Sequence, residues 1–294
     1  MDSAFPKATI TPEDERQIMD AIEKFLARDV RPYVMALEHD DEYPADIVEG
    51  MKELGLFGAI IPAEYGGLGL PTTTYAKIVE LVSETWMSLS GIFNSHLIMS
   101  SAVIRHGTED QKRTWVPKFA TGEIRGGLAL TEPNCGTDLQ AIRTTAKRDG
   151  DAYVVNGTKT WISNGIHGTV FALLVKTDPA AKPRHAGTSL FLAQKGPGFA
   201  VSRKLEKLGY KGIDSAELVF DNYRIPADRL IGGVEGLGLR HALGGLELGR
   251  INVAARGVGV ASAALKESVK YAQQRETFGK PIAEHQSIQI KLAD

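Results

Sequence analysis

The spacing of apolar residues predicts that the first part of the chain is helical. Thr11 and Pro12 are typical of a helix start, an N-cap followed by the first helical position. Apolar residues then recur at helical spacing, at Ile18, Ala21, Ile22, Phe25 and Leu26. The pattern predicts further helices at Ile47–Leu54 and Thr74–Leu89, and one that begins with a capping box at Thr108–Gln111 and reaches Phe119. Residues 1–122 are therefore predicted to form an all-α N-terminal domain.

After Gly122, short apolar runs of strand length replace the helical spacing. These runs are Val170–Val175, Ser189–Ala193 and Leu218–Phe220. Asn156-Gly157, in the middle of another strand-like segment, favours a type I′ turn and predicts a β-hairpin. Pro226 ends the last run, and the glycine-rich stretch 232–238 reads as a linker. We expect residues 123–235 to form a middle domain, an antiparallel β-barrel or sandwich.

Helical spacing returns after Gly238 and extends to about Gln274. The apolar stripe consists of Ile251, Ala254, Ala255, Val258, Ala261, Leu265 and Val269. A break at Gly279–Pro281 precedes a last helix near Glu284, which reaches Asp294 without a terminating signal. Residues 236–294 are predicted to be the start of a C-terminal helical bundle domain, incomplete here. The expected fold class is α+β.

Composition and charge limit the classes of function that the chain can have. The chain has 294 residues, with 34 Lys and Arg against 36 Asp and Glu, a net charge of −2. Without a basic excess, nucleic-acid binding is not expected. The sequence shows no stretch that approaches the roughly 18 apolar residues of a membrane helix. Met1–Asp20 is polar, without the apolar segment of an export signal. We expect a cytoplasmic protein.

Several common kinds of site are not expected. The glycine-rich segments 232–238 and 257–259 do not follow a strand and open a helix, as a dinucleotide fingerprint requires. The seven histidines lack metal-ligand spacing, so no metal is predicted. No G-x-S-x-G elbow is present. The single cysteine, Cys135, excludes an internal disulfide and is interpreted as structural.

Four short blocks resemble signatures of the acyl-CoA dehydrogenase family. The first, A-L-T-E-x-x-x-G-T-D, covers Ala129–Asp138, in a loop rich in hydroxyls and backbone amides. The others are T-W-I-S-N-G at Thr160–Gly165, L-E-L-G-R at Leu246–Arg250, and R-E-T-F-G-K-P-I with a following H-Q at Arg275–Gln286. Their order and the helix–strand–helix order match that family over essentially the whole chain. The chain is identified as a member of it.

The resemblance implies that FAD binds in a cleft between the middle domain and the C-terminal helices. Residues of the first block would line the flavin and its pyrophosphate: Leu130, Thr131, Gly136 and Thr137. Thr137 stands where the family usually has serine. Trp161, with Ile162 beside it, would pack on the flavin face away from the substrate, and Ser163 would hydrogen-bond near N5 and O4. Without the motif, Trp161 would be interpreted as a cross-strand aromatic residue of the sheet.

The fourth block implies a composite cofactor site. Arg275 resembles the arginine that reaches the FAD phosphates of a neighbouring subunit, with Thr277, His285 and Gln286 beside it. The alternative is an exposed arginine at a helix end. If the resemblance holds, the protein is a homo-oligomer, typically a dimer of dimers.

The third block corresponds to the stretch that contacts acyl-CoA in the family. It places Glu247, Leu248, Gly249 and Arg250 at the substrate, together with Thr137, and gives Arg250 a supporting role near the catalytic carboxylate. Glu247 and Arg250 are three residues apart, so an intrahelical pair is the alternative for both. Leu97, Met99 and Val103, within Asn94–Ile104, are candidates for the acyl pocket or plain core residues.

The implied reaction is α,β-dehydrogenation of an acyl-CoA to a trans-2-enoyl-CoA. A carboxylate removes the α-proton, a hydride leaves to the flavin, and an electron-transfer flavoprotein accepts the electrons. One branch of the family carries the glutamate base directly before the helix arginine, but that position is Gly249 here. The base is therefore expected beyond Asp294, with no catalytic base within the chain. We expect the chain alone to bind FAD poorly and to turn over no acyl-CoA.

Two rival interpretations stay open. An acyl-CoA oxidase or a relative of nitroalkane oxidase would share the flavin site but use oxygen as acceptor. A catalytically silent interaction subunit would keep the fold without the base.

Overall fold

The computed structural model describes residues 10–294. The first nine residues, part of the segment for which no export signal is expected, lie outside the described residues. The N-terminal part is helical: α1 (Pro12–Phe25), α2 (Val34–His39), α3 (Ala45–Glu53), α4 (Thr72–His106) and α5 (Glu109–Ala120). The predicted helix starts are confirmed, because Thr11 and Thr108 each form a capping box, with Asp14 and Gln111 respectively.

Helix α4 is the central element of this part. Its backbone leaves helical geometry at Trp86 (φ −157°, ψ 105°), which divides it into two segments. It is long and apolar enough to span a membrane, with mean hydropathy 1.3 over its most apolar window, but 89% of that window is buried inside the protein. The expectation that no stretch approaches a membrane helix in character was therefore wrong. The reason is that a helix surrounded by protein can be apolar on every side.

The middle part is a seven-stranded sheet. Its strands are β1 (Gly126–Ala129), β2 (Thr145–Asp149), β3 (Ala152–Ser163), β4 (Val170–Lys176), β5 (Thr188–Gln194), β6 (Phe199–Lys204) and β7 (Ser215–Pro226). The order is β1-β4-β2-β3-β7-β6, and β5 also pairs with β4. The α+β class is confirmed. The sheet is mixed rather than wholly antiparallel, since β4 pairs in parallel with β1 and with β2.

The predicted hairpin at Asn156-Gly157 is wrong. Strand β3 continues through both residues and pairs with β7 from Ala152 to Ser163. The register shifts between Val155 and Gly157, where the glycine adopts φ +148°. Asn-Gly here marks a β-bulge, because a glycine that tolerates this conformation lets the strand bend without turning back.

The C-terminal part consists of the long helix α6 (Gly238–Gln274), the short strands β8 (Glu276–Thr277) and β9 (Lys280–Pro281), and α7 (Gln286–Ala293). Glycines allow α6 to lie close to α4. A Cβ on Gly259 would come within 2.3 Å of the Glu80 carbonyl oxygen, and one on Gly245 within 2.9 Å of the Ile98 carbonyl oxygen. These contacts place α6 along α4 and beside β5, which brings the end of the sheet and both long helices together.

Candidate functional site

The end of β3 turns a tryptophan out of the sheet. Along this strand the register with β7 shifts between Lys159 and Ile162. Within that bulge, Trp161 adopts φ +59°, and its side chain is 56% exposed. A bulge commonly re-aims a side chain in this way. Trp161 is therefore not a buried cross-strand aromatic residue of the sheet core.

Trp161 lies at the edge of a cavity between the sheet and the long helices. The cavity has a volume of about 210 Å³ and is lined by Ser95, Ile98, Leu128, Leu130, Thr131, Trp161, Ile162, Ser163 and Leu246. Within residues 10–294, the hydroxyls of Thr131 and Ser163 and the Trp161 indole N–H have no hydrogen-bond partner. A flat aromatic surface beside unpartnered hydroxyls suits a planar ligand with polar edges.

A more open groove continues from this cavity. It has a volume of about 530 Å³ and shares Thr131 and Trp161 with the cavity. Its other lining residues are Glu132, Pro133, Asn134, Cys135, Gly136, Thr160, Arg203 and Glu217. Together the two spaces bring Leu130, Thr131, Gly136 and Trp161–Ser163 to one place. Thr137 is exposed and follows directly on Gly136.

A buried ion pair holds the loop that carries Thr131. The Lys159 Nζ donates to Glu132 Oε1 at 2.8 Å and to the Leu130 carbonyl oxygen at 3.0 Å. Glu132 also accepts the backbone N–H groups of Arg143 and Thr144. Burial alone would raise the pKa of Glu132, but Lys159 and these donors outweigh it and lower that pKa. The carboxylate therefore stays charged and fixes both ends of the loop.

Sequence reasoning missed this pair, although a signal for it exists. The residues of β3 that face the core alternate as Tyr153, Val155 and Lys159, so a charged residue occupies a core position. A buried lysine requires a partner, and Glu132 of the first motif supplies it.

Asn164 fixes the strand end next to Ser163. Its side-chain amide donates to the carbonyl oxygens of Ile92 in α4 and Gly126 in β1, each at 3.0 Å. Its backbone has φ +58°, a conformation that asparagine tolerates better than most residues. The asparagine of the second motif is therefore an anchor between helix and sheet.

The third motif is only partly at the cavity. Leu246 lines it, whereas Leu248 and Gly249 are buried against α4. A Cβ on Gly249 would approach Ile98 Cδ1 to 2.8 Å, so this glycine packs against the side chain of Ile98. The predicted contacts of these two residues with acyl-CoA stay predictions.

Glu247 and Arg250 both lie on the exposed side of α6. Glu247 pairs with Arg105 of α4 at 3.2 Å, and not with Arg250 as the intrahelical alternative supposed. This pair links the two long helices.

The residues of the fourth motif lie apart from the cavity. Thr277 Oγ1 and His285 Nε2 are 3.1 Å apart and hold the β8–β9 turn to the start of α7. Arg275 and Gln286 are exposed. In the described part of the chain, these four residues line neither the cavity nor the groove, and their predicted contact with the FAD of a neighbouring subunit stays a prediction.

For the three acyl-pocket candidates, the structure supports the alternative that they are core residues. Leu97, Met99 and Val103 are fully buried in the core. The residues of α4 that reach the cavity are Ser95 and Ile98, on another side of the helix. All five residues lie on α4, but a single sequence does not show which side of a buried helix faces a cavity.

Size alone does not identify the site. A larger cavity of about 580 Å³ lies among α1, α2 and α3 and is lined by Phe25, Tyr43 and several carboxylates. It contains none of the predicted site residues, and its carboxylates belong to exposed or helix-surface positions.

Family comparisons match the chain along its length. Residues 12–123, 127–223 and 236–294 match the N-terminal, middle and C-terminal domains of acyl-CoA dehydrogenase. The chain belongs to the acyl-CoA dehydrogenase family. The family assignment from the four motifs is thus confirmed, and with it the enzyme class, a flavin-linked oxidoreductase.

Individual relatives agree. The chain is 37% identical to (2S)-methylsuccinyl-CoA dehydrogenase of Cereibacter sphaeroides over 96% of its length, and spans 53% of that protein. It is 36% identical to acyl-CoA dehydrogenase of Bacillus subtilis, spanning 74% of that protein. A glutaryl-CoA dehydrogenase from Mycobacterium smegmatis in complex with FADH2 superimposes with a TM-score of 0.87 at 30% identity, covering 96% of this chain and 71% of that one. The chain thus spans about half to three quarters of these relatives.

FAD is the cofactor of this family, and the residues present fit it. The indole of Trp161 offers a flat face, and the unpartnered hydroxyls of Thr131 and Ser163 offer donors to the polar edge of a flavin ring. The adjoining groove, with the exposed backbone of the Gly136 turn, offers room for the extended part of the cofactor.

Proposed function

We propose that this chain supplies the flavin-binding and acyl-CoA-binding surfaces of an FAD-dependent acyl-CoA dehydrogenase that forms trans-2-enoyl-CoA products. The observation that carries the proposal is the exposed Trp161 beside the unpartnered hydroxyls of Thr131 and Ser163. The relatives support it too, since they include a butyryl-CoA dehydrogenase and an isovaleryl-CoA dehydrogenase.

Each residue of the cavity has a distinct part in this proposal. Thr131 and Ser163 hold the polar edge of the flavin, and Trp161 covers one face and excludes water from it. Leu130 and Ile162 form the apolar floor, and Gly136 with Thr137 receives the pyrophosphate. When bound, FAD would supply the hydride-accepting chemistry of the reaction.

The proton-accepting base is proposed to lie beyond Asp294. No carboxylate of residues 10–294 lines the cavity. Glu247, the single carboxylate of the third motif, pairs with Arg105, and Gly249 has no side chain that could accept a proton. Arg250 is exposed and free to support a base contributed by further chain.

Partners form a further part of the proposal. Arg275, Thr277, His285 and Gln286 would hold the FAD of a neighbouring copy, which makes the protein a homo-oligomer, a dimer of dimers. The electron acceptor is proposed to be an electron-transfer flavoprotein, and the protein is proposed to act in the cytoplasm on fatty-acid or branched-chain acyl-CoA.

Ligand binding tests the proposal without needing the base. FAD is titrated into the purified chain while tryptophan and flavin fluorescence are recorded, and a 2-enoyl-CoA is then added while the flavin absorbance is followed. We expect weak FAD binding and a shift of the flavin band by the enoyl-CoA. Failure to bind FAD overturns the proposal. FAD binding with no response to acyl-CoA or enoyl-CoA overturns the substrate class.

A further inference from the structure

Two β-bulges lie beside the same residue of strand β7. The register between β3 and β7 shifts between Lys159 and Ile162, and the register between β6 and β7 shifts between Val201 and Arg203. Both shifts occur at the level of Glu217, which pairs directly with Arg203. Because a bulge re-aims the side chains beside it, the sheet departs from regular pairing on both sides of this position.

The side chains at this level line one groove. Trp161 lies in the first bulge, Glu217 follows on β7 and Arg203 on β6, and all three line the open groove of about 530 Å³. Neighbouring strands lie about 4.8 Å apart, so the backbone of Arg203 is roughly 10 Å from that of Trp161, two strand spacings away. A ligand whose ring lies on Trp161 and whose remainder extends across these strands therefore meets Arg203.

Arg203 carries the positive charge of this groove. Within residues 10–294, no other lysine, arginine or histidine lines the groove or the adjoining cavity. Lys159 lies close by, but it is buried and paired with Glu132. Arg275, which the motif resemblance assigns to the FAD phosphates of a neighbouring subunit, lines neither space. In the described part of the chain, the groove thus contains a single positive charge that is available to an anion.

The guanidinium of Arg203 is only weakly held. Its Nη2 donates to Glu217 Oε2 at 3.4 Å, and the described residues offer no hydrogen-bond partner to its Nη1 or Nε. The Arg203 side chain is 65% exposed, compared with 18% for Glu217. The Ser202 hydroxyl donates to Glu217 Oε1 at 2.8 Å and orients that carboxylate. Most of the donor fork of Arg203 is therefore free for a ligand.

We propose that Arg203 binds the pyrophosphate of a nucleotide in this groove, in the same chain that holds the flavin ring. This inference rests on the proposed function, because it assumes that the flavin ring lies on Trp161. A guanidinium offers parallel N–H groups that match phosphate oxygens, and the turn at Gly136 adds backbone N–H groups. FAD and CoA both carry a pyrophosphate, so the experiment has one arm for each of these two sources.

Flavins with and without phosphates form the first arm. FAD carries the pyrophosphate and riboflavin carries no phosphate, while both present the same ring to Trp161. Their affinities for the purified chain are measured by flavin fluorescence titration. We expect Arg203→Gln to weaken FAD binding about tenfold and to leave riboflavin binding unchanged.

Thioesters with and without the nucleotide form the second arm. Butyryl-CoA carries a pyrophosphate, whereas the butyryl thioester of pantetheine does not. Binding of each to the chain saturated with riboflavin is measured by isothermal titration calorimetry, so that no cofactor phosphate competes for Arg203. A tenfold loss for FAD or for butyryl-CoA in Arg203→Gln supports the inference and shows which of the two ligands Arg203 contacts.

Two further variants separate a phosphate contact from a general effect of charge. Arg224→Gln removes an arginine of β7 that is 56% exposed, pairs with Asp149 and lines neither space, so it should leave all four affinities unchanged. Glu217→Gln removes the partner of Arg203 and a negative charge from the groove. It should strengthen binding of the pyrophosphate ligand about threefold, which tests the inference if Arg203→Gln does not fold.

The outcomes distinguish the two proposals. Equal losses of FAD and riboflavin affinity in Arg203→Gln overturn this inference, and so do unchanged affinities for both FAD and butyryl-CoA. An effect of Arg224→Gln as large as that of Arg203→Gln, or weaker binding of both pyrophosphate ligands in Glu217→Gln, overturns it as well. Each of these results leaves the proposed function standing. If neither flavin binds the wild-type chain, the proposed function fails and this inference fails with it.

Discussion

The Lys159 ammonium lies 2.8 Å from the Glu132 carboxylate, and neither side chain is more than 2% exposed. The pair joins the strand that ends in Trp161 to the loop that carries Thr131. Two residues proposed to contact the flavin from different segments are therefore positioned by one buried contact. Glu132 of the first motif therefore positions the site through its ion pair with Lys159, a role that the motif alone does not show.

Glu132→Gln should destabilise the fold by about 3 kcal/mol, because it leaves the Lys159 ammonium buried without a counter-charge. Urea unfolding followed by circular dichroism measures the change. The double variant Glu132→Gln with Lys159→Met removes both charges and keeps an acceptor for the backbone N–H groups, so it should regain much of the loss. A single variant within about 1 kcal/mol of wild type would contradict the role given to the pair.

Trp161→Ala should weaken FAD binding about tenfold and leave the unfolding midpoint nearly unchanged. The indole is 56% exposed, so the fold loses little when it is removed, whereas a flavin packed on it loses much of its contact. Flavin fluorescence titration and thermal unfolding measure the two effects. Trp115, only 6% exposed, is the matched control: its replacement by alanine should mainly cost stability. Unchanged FAD affinity in Trp161→Ala would place the flavin elsewhere.

Gly259→Ala should destabilise the protein by about 1–3 kcal/mol, because the added Cβ would approach the Glu80 carbonyl oxygen to 2.3 Å in the α4–α6 interface. Gly257→Ala is the control on the same helix. A Cβ there meets no atom within 4 Å, so this change should stabilise the helix by about 0.5–1 kcal/mol. Chemical unfolding of the two alanine variants measures both changes in the free energy of unfolding. Equal effects would show that close packing is not what requires glycine at position 259.

The buried His96 should make stability fall in mild acid. Burial lowers the pKa of this imidazole from 6.5 to about 4. The unfolded chain binds a proton on this side chain below about pH 6.5, whereas the folded chain does not, so stability falls as the pH drops from 6.5 to about 4. The contribution is about 3 kcal/mol over that range.

Comparison with a variant isolates this effect. Urea unfolding at several pH values should show a shallower decline for His96→Gln than for wild type, since the glutamine amide can still donate to the Phe119 carbonyl oxygen but does not titrate. His185→Gln, at an exposed position, should leave the pH profile unchanged. Identical profiles for His96→Gln and wild type would refute the assignment.

Local sequence signals succeeded where the cause is local. The capping boxes at Thr11 and Thr108 fix helix starts because the bonds they form lie within a few residues. The apolar runs at Val170–Val175 and Ser189–Ala193 form strands as predicted, and the structure pairs these two strands with each other. By contrast, Asn156-Gly157 stays within strand β3, because pairing with β7 outweighs the local preference of Asn-Gly for a turn.

The sequence by itself determined the helix–strand–helix order, the main apolar elements and the four motifs that identify the family. Only the tertiary structure decided which of the predicted site residues meet. It brought Thr131, Trp161 and Ser163 around one cavity, whose wall on α4 is formed by Ser95 and Ile98 and not by Leu97. It also joined Lys159 to Glu132. The physical reason is that a local pattern records which residues avoid water, while the direction of a side chain and the partner of a buried charge depend on segments far away in the chain.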